Sequence, residues 1–160
     1  MYKNSKGFSL IELLIVVAII LIISAIAIPN LLRSRIAANQ ASAVGSLRTL
    51  NTAEVTYSTT YNSGFTQTLS YLRPPAGAAN PTSTAAGLID SILAGGTKSG
   101  YSFTYSAGTA DVTGHTNVYS ITAIPITSST GTNYYFTDQS GTLRQNSTTT
   151  AGATDSPIAG

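Results

Sequence analysis

Polar and apolar positions separate sharply near the N-terminus. From Phe8 to Ile28 the chain reads FSLIELLIVVAIILIISAIAI, 21 residues broken only by Ser9, Glu12 and Ser24. As a helix that stretch rises about 31 Å, the thickness of a bilayer core. Its Val and Ile content favours strands in water. In lipid only a helix satisfies every backbone group within one segment, so the pattern predicts a membrane helix. Beyond Pro29 the apolar residues thin out but keep a helical period. Ile36, Ala43, Leu47, Leu50, Tyr57 and Tyr61 fall near one face. Pro29 removes a helical hydrogen bond and crowds the preceding turn, and Gly45 weakens the helix locally. One long, bent helix from about residue 8 to 61 is predicted, with the stretch 29–61 as its amphipathic continuation. Asn30 and Ser34 are placed to partner backbone groups freed at Pro29.

The pattern then changes. Residues 62–100 are rich in Pro, Gly, Ala and Ser, and Pro74-Pro75 and Asn80-Pro81 mark loops. A short helix is expected over Ala85–Leu93, capped by Ser83 or Thr84 and stopped by Gly95 or Gly96. Period-two alternation predicts strands at Tyr101–Tyr105 and Val118–Ile124, the latter ending near Pro125. Tyr134–Thr137 and Thr142–Arg144 read as two short strands joined by a turn over Asp138–Gly141. Three or four antiparallel strands against one long helix make an α+β fold, with a head over residues 62–145. The tail 146–160, with few apolar residues, is expected to be poorly ordered.

Composition changes this picture in two ways. Charged residues make up only 9% of the 160, while 24 Thr and 20 Ser supply uncharged polarity, which suits an extracellular surface. The net charge of +2 comes from Lys3 and Lys6, since the residues after Gly7 carry six charges of each sign. A neutral body without a basic patch argues against nucleic acid as a partner of the single chain. The absence of Cys excludes disulfides, thiol catalysis and thiolate metal sites. With one His, no glycine-rich phosphate loop and no closely spaced carboxylate pair, an enzyme is not expected.

Glu12 carries the sharpest question. A carboxylate inside an apolar membrane helix costs a few kcal/mol, about 2.5–3.5 at the bilayer centre, and by default has a partner. Lys3 and Lys6 lie nine and six residues back, beyond Gly7. A simple anchor has no use for Glu12, nor has a secretory signal cleaved after Ala27 at Ala25-Ile26-Ala27, which would release a soluble secreted protein.

Lys6-Gly7-Phe8-Ser9-Leu10-Ile11-Glu12, with the apolar helix and Pro29 behind it, resembles the processing signal of type IV pilins and of type II secretion pseudopilins. The resemblance covers about the first 55 residues. It implies a leader over residues 1–7, cleavage between Gly7 and Phe8 by a prepilin peptidase, and N-methylation of Phe8. It implies that residues 8–28 serve as a membrane helix and later as filament core, and that Glu12 pairs with the Phe8 amine of a neighbouring copy during assembly. It also implies a precursor in the bacterial inner membrane, an assembly platform and minor pilins as partners, and a homopolymer as product. Flanking Lys and Arg barely discriminate the topology; the resemblance puts the leader in the cytoplasm and the head outside. Two products fit: an extracellular pilus for adhesion, motility or DNA uptake, or the periplasmic pseudopilus of a secretion system. The major pseudopilins also raise Ca2+, for which Asp111 with Asp138 are weak candidates, and no other cofactor is expected. The sequon Asn146-Ser147-Thr148 and the Ser/Thr-rich tail leave glycosylation open. No aromatic residue lies between Phe8 and Tyr57, which excludes a stacked aromatic path along the helix.

Overall fold

The computed structural model describes residues 7–77 and 79–158. Lys3, Lys6 and the rest of the expected leader before Gly7 lie outside the described residues. The chain divides between Arg35 and Ile36 into two units.

The first helix, α1, runs Leu10–Tyr61 and continues through Pro29. Between Phe8 and Leu32 seventeen large apolar side chains are exposed. Beside Pro29 the Ser34 hydroxyl donates to the Asn30 carbonyl at 3.0 Å. That is an ordinary bond to the preceding turn; the carbonyl that a proline at position 29 strips of its donor belongs to Ala25.

In the unit from Ile36 onward, α1 buries Ala43, Ser46, Leu47, Leu50, Ala53, Glu54 and Tyr57. Four of the six residues picked out by helical spacing are therefore core, while Ile36 and Tyr61 are half-buried. A 3-10 turn spans Leu69–Leu72, and a one-turn helix, α2, spans Ser91–Ala94. Six strands follow: β1 Thr97–Lys98, β2 Tyr101–Ala107, β3 Tyr119–Pro125, β4 Tyr134–Asp138, β5 Arg144–Asn146 and β6 Ser156–Pro157. They form one antiparallel sheet in chain order. Its centre pairs Phe103 with Ala123 and Thr122 with Phe136. Tyr101, Phe103, Tyr119, Ile121, Ala123 and Tyr135 join the buried face of α1 in one core. Both outer strands are two residues long, with Lys98 on one and Pro157 on the other, which blunts the edges against pairing with other chains.

The short helix is smaller than the sequence suggests. Gly87 takes a left-handed φ of +69°, which breaks any helix over 85–93. Ala86 N–H and Leu88 N–H donate instead to the carbonyls of Tyr71 and Leu72, at 2.8 and 2.9 Å. Asp90, not Ser83 or Thr84, is the N-cap, accepting from Leu93 N–H at 2.9 Å, and Gly95 closes the turn. The expected strand Thr142–Arg144 shifts to Arg144–Asn146. Thr142 and Leu143 instead complete the connection after the Asp138–Gly141 turn, closed by Gly141 N–H to the Asp138 carbonyl at 2.9 Å.

The tail is ordered through Ile158, contrary to the compositional expectation. Arg144 and Gln145 pair with Pro157 and Ser156. The loop between them closes on Asp155, whose carboxylate accepts from Asn146 Nδ2 at 2.9 Å and Gly152 N–H at 2.7 Å. Ala151 is buried, and Ile158 packs against the core. Few apolar residues suffice here because polar side chains close the loop.

Candidate functional site

The segment that the sequence marks for processing and assembly begins just ahead of α1. Gly7, Phe8 and Ser9 precede the helix and are exposed, Phe8 at 77%. Ser9 is the N-cap residue: its carbonyl accepts from Leu13 N–H at 3.2 Å. Its own N–H donates to Glu12 Oε2 at 2.9 Å. Ser9-Leu10-Ile11-Glu12 thus makes the carboxylate half of a capping box, three residues into the helix, where the dipole favours negative charge. Glu12 therefore has a local partner within the chain. This short-range contact was readable in the Ser-x-x-Glu spacing.

Behind Glu12 the helix is apolar on every side. Leu10, Leu14, Leu21 and Ile22 are all more than 60% exposed, and among the described residues none of the large side chains before Leu32 is buried. Such a surface is stable only in lipid or against other apolar helices. Ala25, Ile26 and Ala27 lie within continuous helix, whereas the Gly7–Phe8 bond lies in exposed, non-helical chain.

The weak metal candidates are each engaged in their own turns. Asp111 Oδ1 accepts from Thr113 N–H at 2.8 Å, Thr113 Oγ1 at 2.6 Å and His115 N–H at 3.0 Å. Its Oδ2 accepts from Asn117 Nδ2 at 2.9 Å. The Thr113 hydroxyl, followed by the His115 and Thr113 amides, holds this carboxyl well below the usual range. Asp138 Oδ1 accepts from the N–H of Ser140 at 2.9 Å and from its hydroxyl. Among the described residues no three His, Asp or Glu side chains cluster to hold a metal. The sequon residue Asn146 sits on β5, its amide given to Asp155 and its carbonyl accepting from Thr148 N–H at 2.9 Å.

Spacing did not reveal Glu54, which is fully buried on the sheet-facing side of α1. It accepts from Thr66 N–H at 2.9 Å and Thr66 Oγ1 at 2.6 Å. Tyr105 OH donates to the Thr66 carbonyl at 2.7 Å. Burial raises the Glu54 pKa above its ordinary value, with the Thr66 bonds opposing. Among the described residues the one ion pair joins Lys98 and Asp90, so Glu54 is anchored by hydrogen bonds alone. It ties the loop after α1 to the helix.

Comparison with known proteins places the N-terminal segment. Residues 2–28 match the prokaryotic N-terminal methylation motif. The chain is similar to the type IV wide pilus major component PilA4 of Thermus thermophilus, 65% identical over 37 residues, 23% of this chain and 28% of that protein. It is also similar to the type IV major pilin protein PilA of Myxococcus xanthus, 47% identical over 54 residues, 34% of this chain and 24% of that one. The matches thus span about a quarter of each relative. No solved structure matches the chain. The methylation motif, the exposed apolar helix behind it and the α+β architecture agree, and the N-terminal segment of the chain is similar to that of type IV pilins.

Proposed function

We propose that this chain is the structural subunit of a type IV pilus, polymerising through the apolar part of α1 into an extracellular filament used for adhesion, motility or DNA uptake. The observation that carries the reading is the exposed, all-round apolar helix that starts directly behind an accessible Gly7–Phe8 bond, with Glu12 as its one acidic residue. The Ala25-Ile26-Ala27 alternative is disfavoured because it requires cutting within a helix. A prepilin peptidase removes the leader after Gly7 in the inner membrane and methylates Phe8. An assembly platform and minor pilins then extract the subunit from lipid. Transfer from lipid to a helix bundle adds little hydrophobic energy, so packing and polar pairing decide the register. The amine freed on Phe8 supplies that pairing. Glu12, now accepting from Ser9 N–H, exchanges this neutral donor for the Phe8 ammonium of a neighbouring copy. Removing one partner of such a buried pair costs about 3–5 kcal/mol.

Intact-mass and N-terminal analysis of protein sheared from native cells tests the reading. A chain beginning at N-methylated Phe8 in the sheared fraction is expected. The same species confined to the cell envelope indicates the pseudopilus instead, and a chain beginning at Ile28 overturns both. Glu12→Ala is expected to be processed normally yet to yield no filaments; wild-type filament yield from it refutes the pairing. The pilus is favoured over the pseudopilus because one relative is described as a type IV wide pilus major component and the other as a type IV major pilin.

A further inference from the structure

We propose that the head carries a binding cleft for a neutral oligosaccharide at the C-terminal end of α1, a site independent of the filament reading. The cleft encloses about 460 Å3, within the range of small-molecule sites, roughly 300–1,000 Å3. Its walls bring Tyr61, Phe65 and Tyr71 together with Gln67, Ser83 and Thr116, and among the described residues no charged side chain lines it. The three rings are half-buried, so each keeps an accessible part, while Gln67 and Ser83 are exposed.

Three stretches meet here, 57–71, Ser83 and 114–116, and hydrogen bonds fix them. Phe65 N–H donates to the Thr116 carbonyl at 2.7 Å, and Tyr57 OH donates to the Ser83 carbonyl at 2.8 Å. The carbonyl of Tyr71 accepts from Ala86 N–H at 2.8 Å. At Gly64, φ is +77° and a Cβ would stand 2.2 Å from the Thr116 oxygen, so close backbone contact sets the width of the wall. A site fixed before its ligand arrives loses little conformational entropy on binding.

The chemistry of the lining selects the ligand class. A sugar ring presents a C–H face, which packs on aromatic faces, and a rim of hydroxyls, which pair with amides, hydroxyls and carbonyls. An anionic ligand has no cation here to meet it. A purely apolar ligand leaves the exposed Gln67 and Ser83 unpaired on desolvation. Three aromatic side chains with neutral donors and acceptors, and no charge, fit a neutral saccharide.

The test is saturation-transfer-difference NMR of the full-length chain in detergent micelles with cellotriose, maltotriose and triacetylchitotriose as probes. At least one probe is expected to bind, with the strongest signals from C–H protons, and 0.5 M NaCl leaves binding within about twofold. Tyr61→Ala and Tyr71→Ala are each expected to weaken it about tenfold or more. Gln67→Ala, at an exposed side chain outside the core, is expected to weaken it several-fold with an unchanged melting curve, so the proposal stays testable if a tyrosine variant fails to fold. Absence of binding for all three probes overturns the proposal. So does binding that these variants leave unchanged, or binding abolished by salt.

Discussion

Glu54 offers the most discriminating test of how the head is held together. Replacing it with Ala deletes both acceptors for Thr66 and strands a buried N–H, since Thr66 is itself 1% exposed. An unpaired buried donor costs about 1–3 kcal/mol, and the void left by the side chain adds about 1–2. Glu54→Ala should therefore lose roughly 2–5 kcal/mol. Glu54→Gln fills the same volume and keeps an oxygen for Thr66 N–H, while the Thr66 hydroxyl can turn to accept from the new amide. It also removes a carboxylate whose ionised form is penalised by burial. Besides Thr66, the groups facing Glu54 are the phenols of Tyr57 on α1, Tyr105 on β2 and Tyr119 on β3, all neutral below pH 9. Glu54→Gln should thus match or exceed wild-type stability at pH 7. The pH dependence has a definite sign. A carboxyl whose folded pKa is raised above 4.5 binds more protons folded than unfolded. Its stabilising contribution is complete below about 4.5 and is lost as pH rises through the folded value, at up to about 1.4 kcal/mol per pH unit. Urea melts of full-length wild type and both variants in detergent, from pH 4 to 8, measure all three quantities. The reasoning fails if Glu54→Gln is as damaging as Glu54→Ala, or if the wild-type-minus-Gln difference stays flat with pH.

Four further substitutions have expected outcomes. Gly64→Ala should destabilise by about 3 kcal/mol or more in denaturant melts, because its Cβ meets the Thr116 backbone at 2.2 Å. Gly114→Ala, with φ +84° but open space around it, should cost only about 1–2. Asp155→Ala removes the acceptors for Asn146 and Gly152 and should cost about 1–3 kcal/mol, seen also as faster protease cleavage within 147–155. Asp90→Ala should lose about 1 kcal/mol through the cap on Leu93. In wild type the contribution of Asp90, whose pKa is lowered first by Lys98, should be present above pH 3.8 and fade as pH falls through the folded value.

The long helix was legible because its first half is a nearly unbroken apolar run and its second half keeps a helical period. Strands β2 and β3 were legible because the apolar–polar alternation at Tyr101–Tyr105 and Tyr119–Ala123 is uninterrupted. What escaped the sequence depended on pairing across distance. Leu88 and Ile89 look helical, but their amides are captured by Leu72. The tail looks disordered by composition, yet Asp155 organises it through contacts that no local pattern announces. In the candidate assembly segment, Gly7, Phe8 and Glu12 stood out by motif, whereas the Ser9–Glu12 contact is a matter of local geometry. Glu54 was invisible as a polar residue within a buried stripe, because only the arrival of Thr66 makes its burial tolerable.

The strictly sequential order of the sheet, β1 to β6, has a kinetic meaning. Every strand pairs with a neighbour in sequence, so each hairpin closes a modest loop before the next begins. Folding rate falls as contacts become more distant in the chain, and a meander keeps its pairings local. The main long-range steps are the docking of the Ala43–Tyr57 face onto the assembled strands and the pairing of Gly64 and Phe65 with Thr116. A polypeptide held at its N-terminal helix while the remainder is delivered residue by residue can zip this sheet in the order of its arrival, leaving no strand waiting for a partner still to be made.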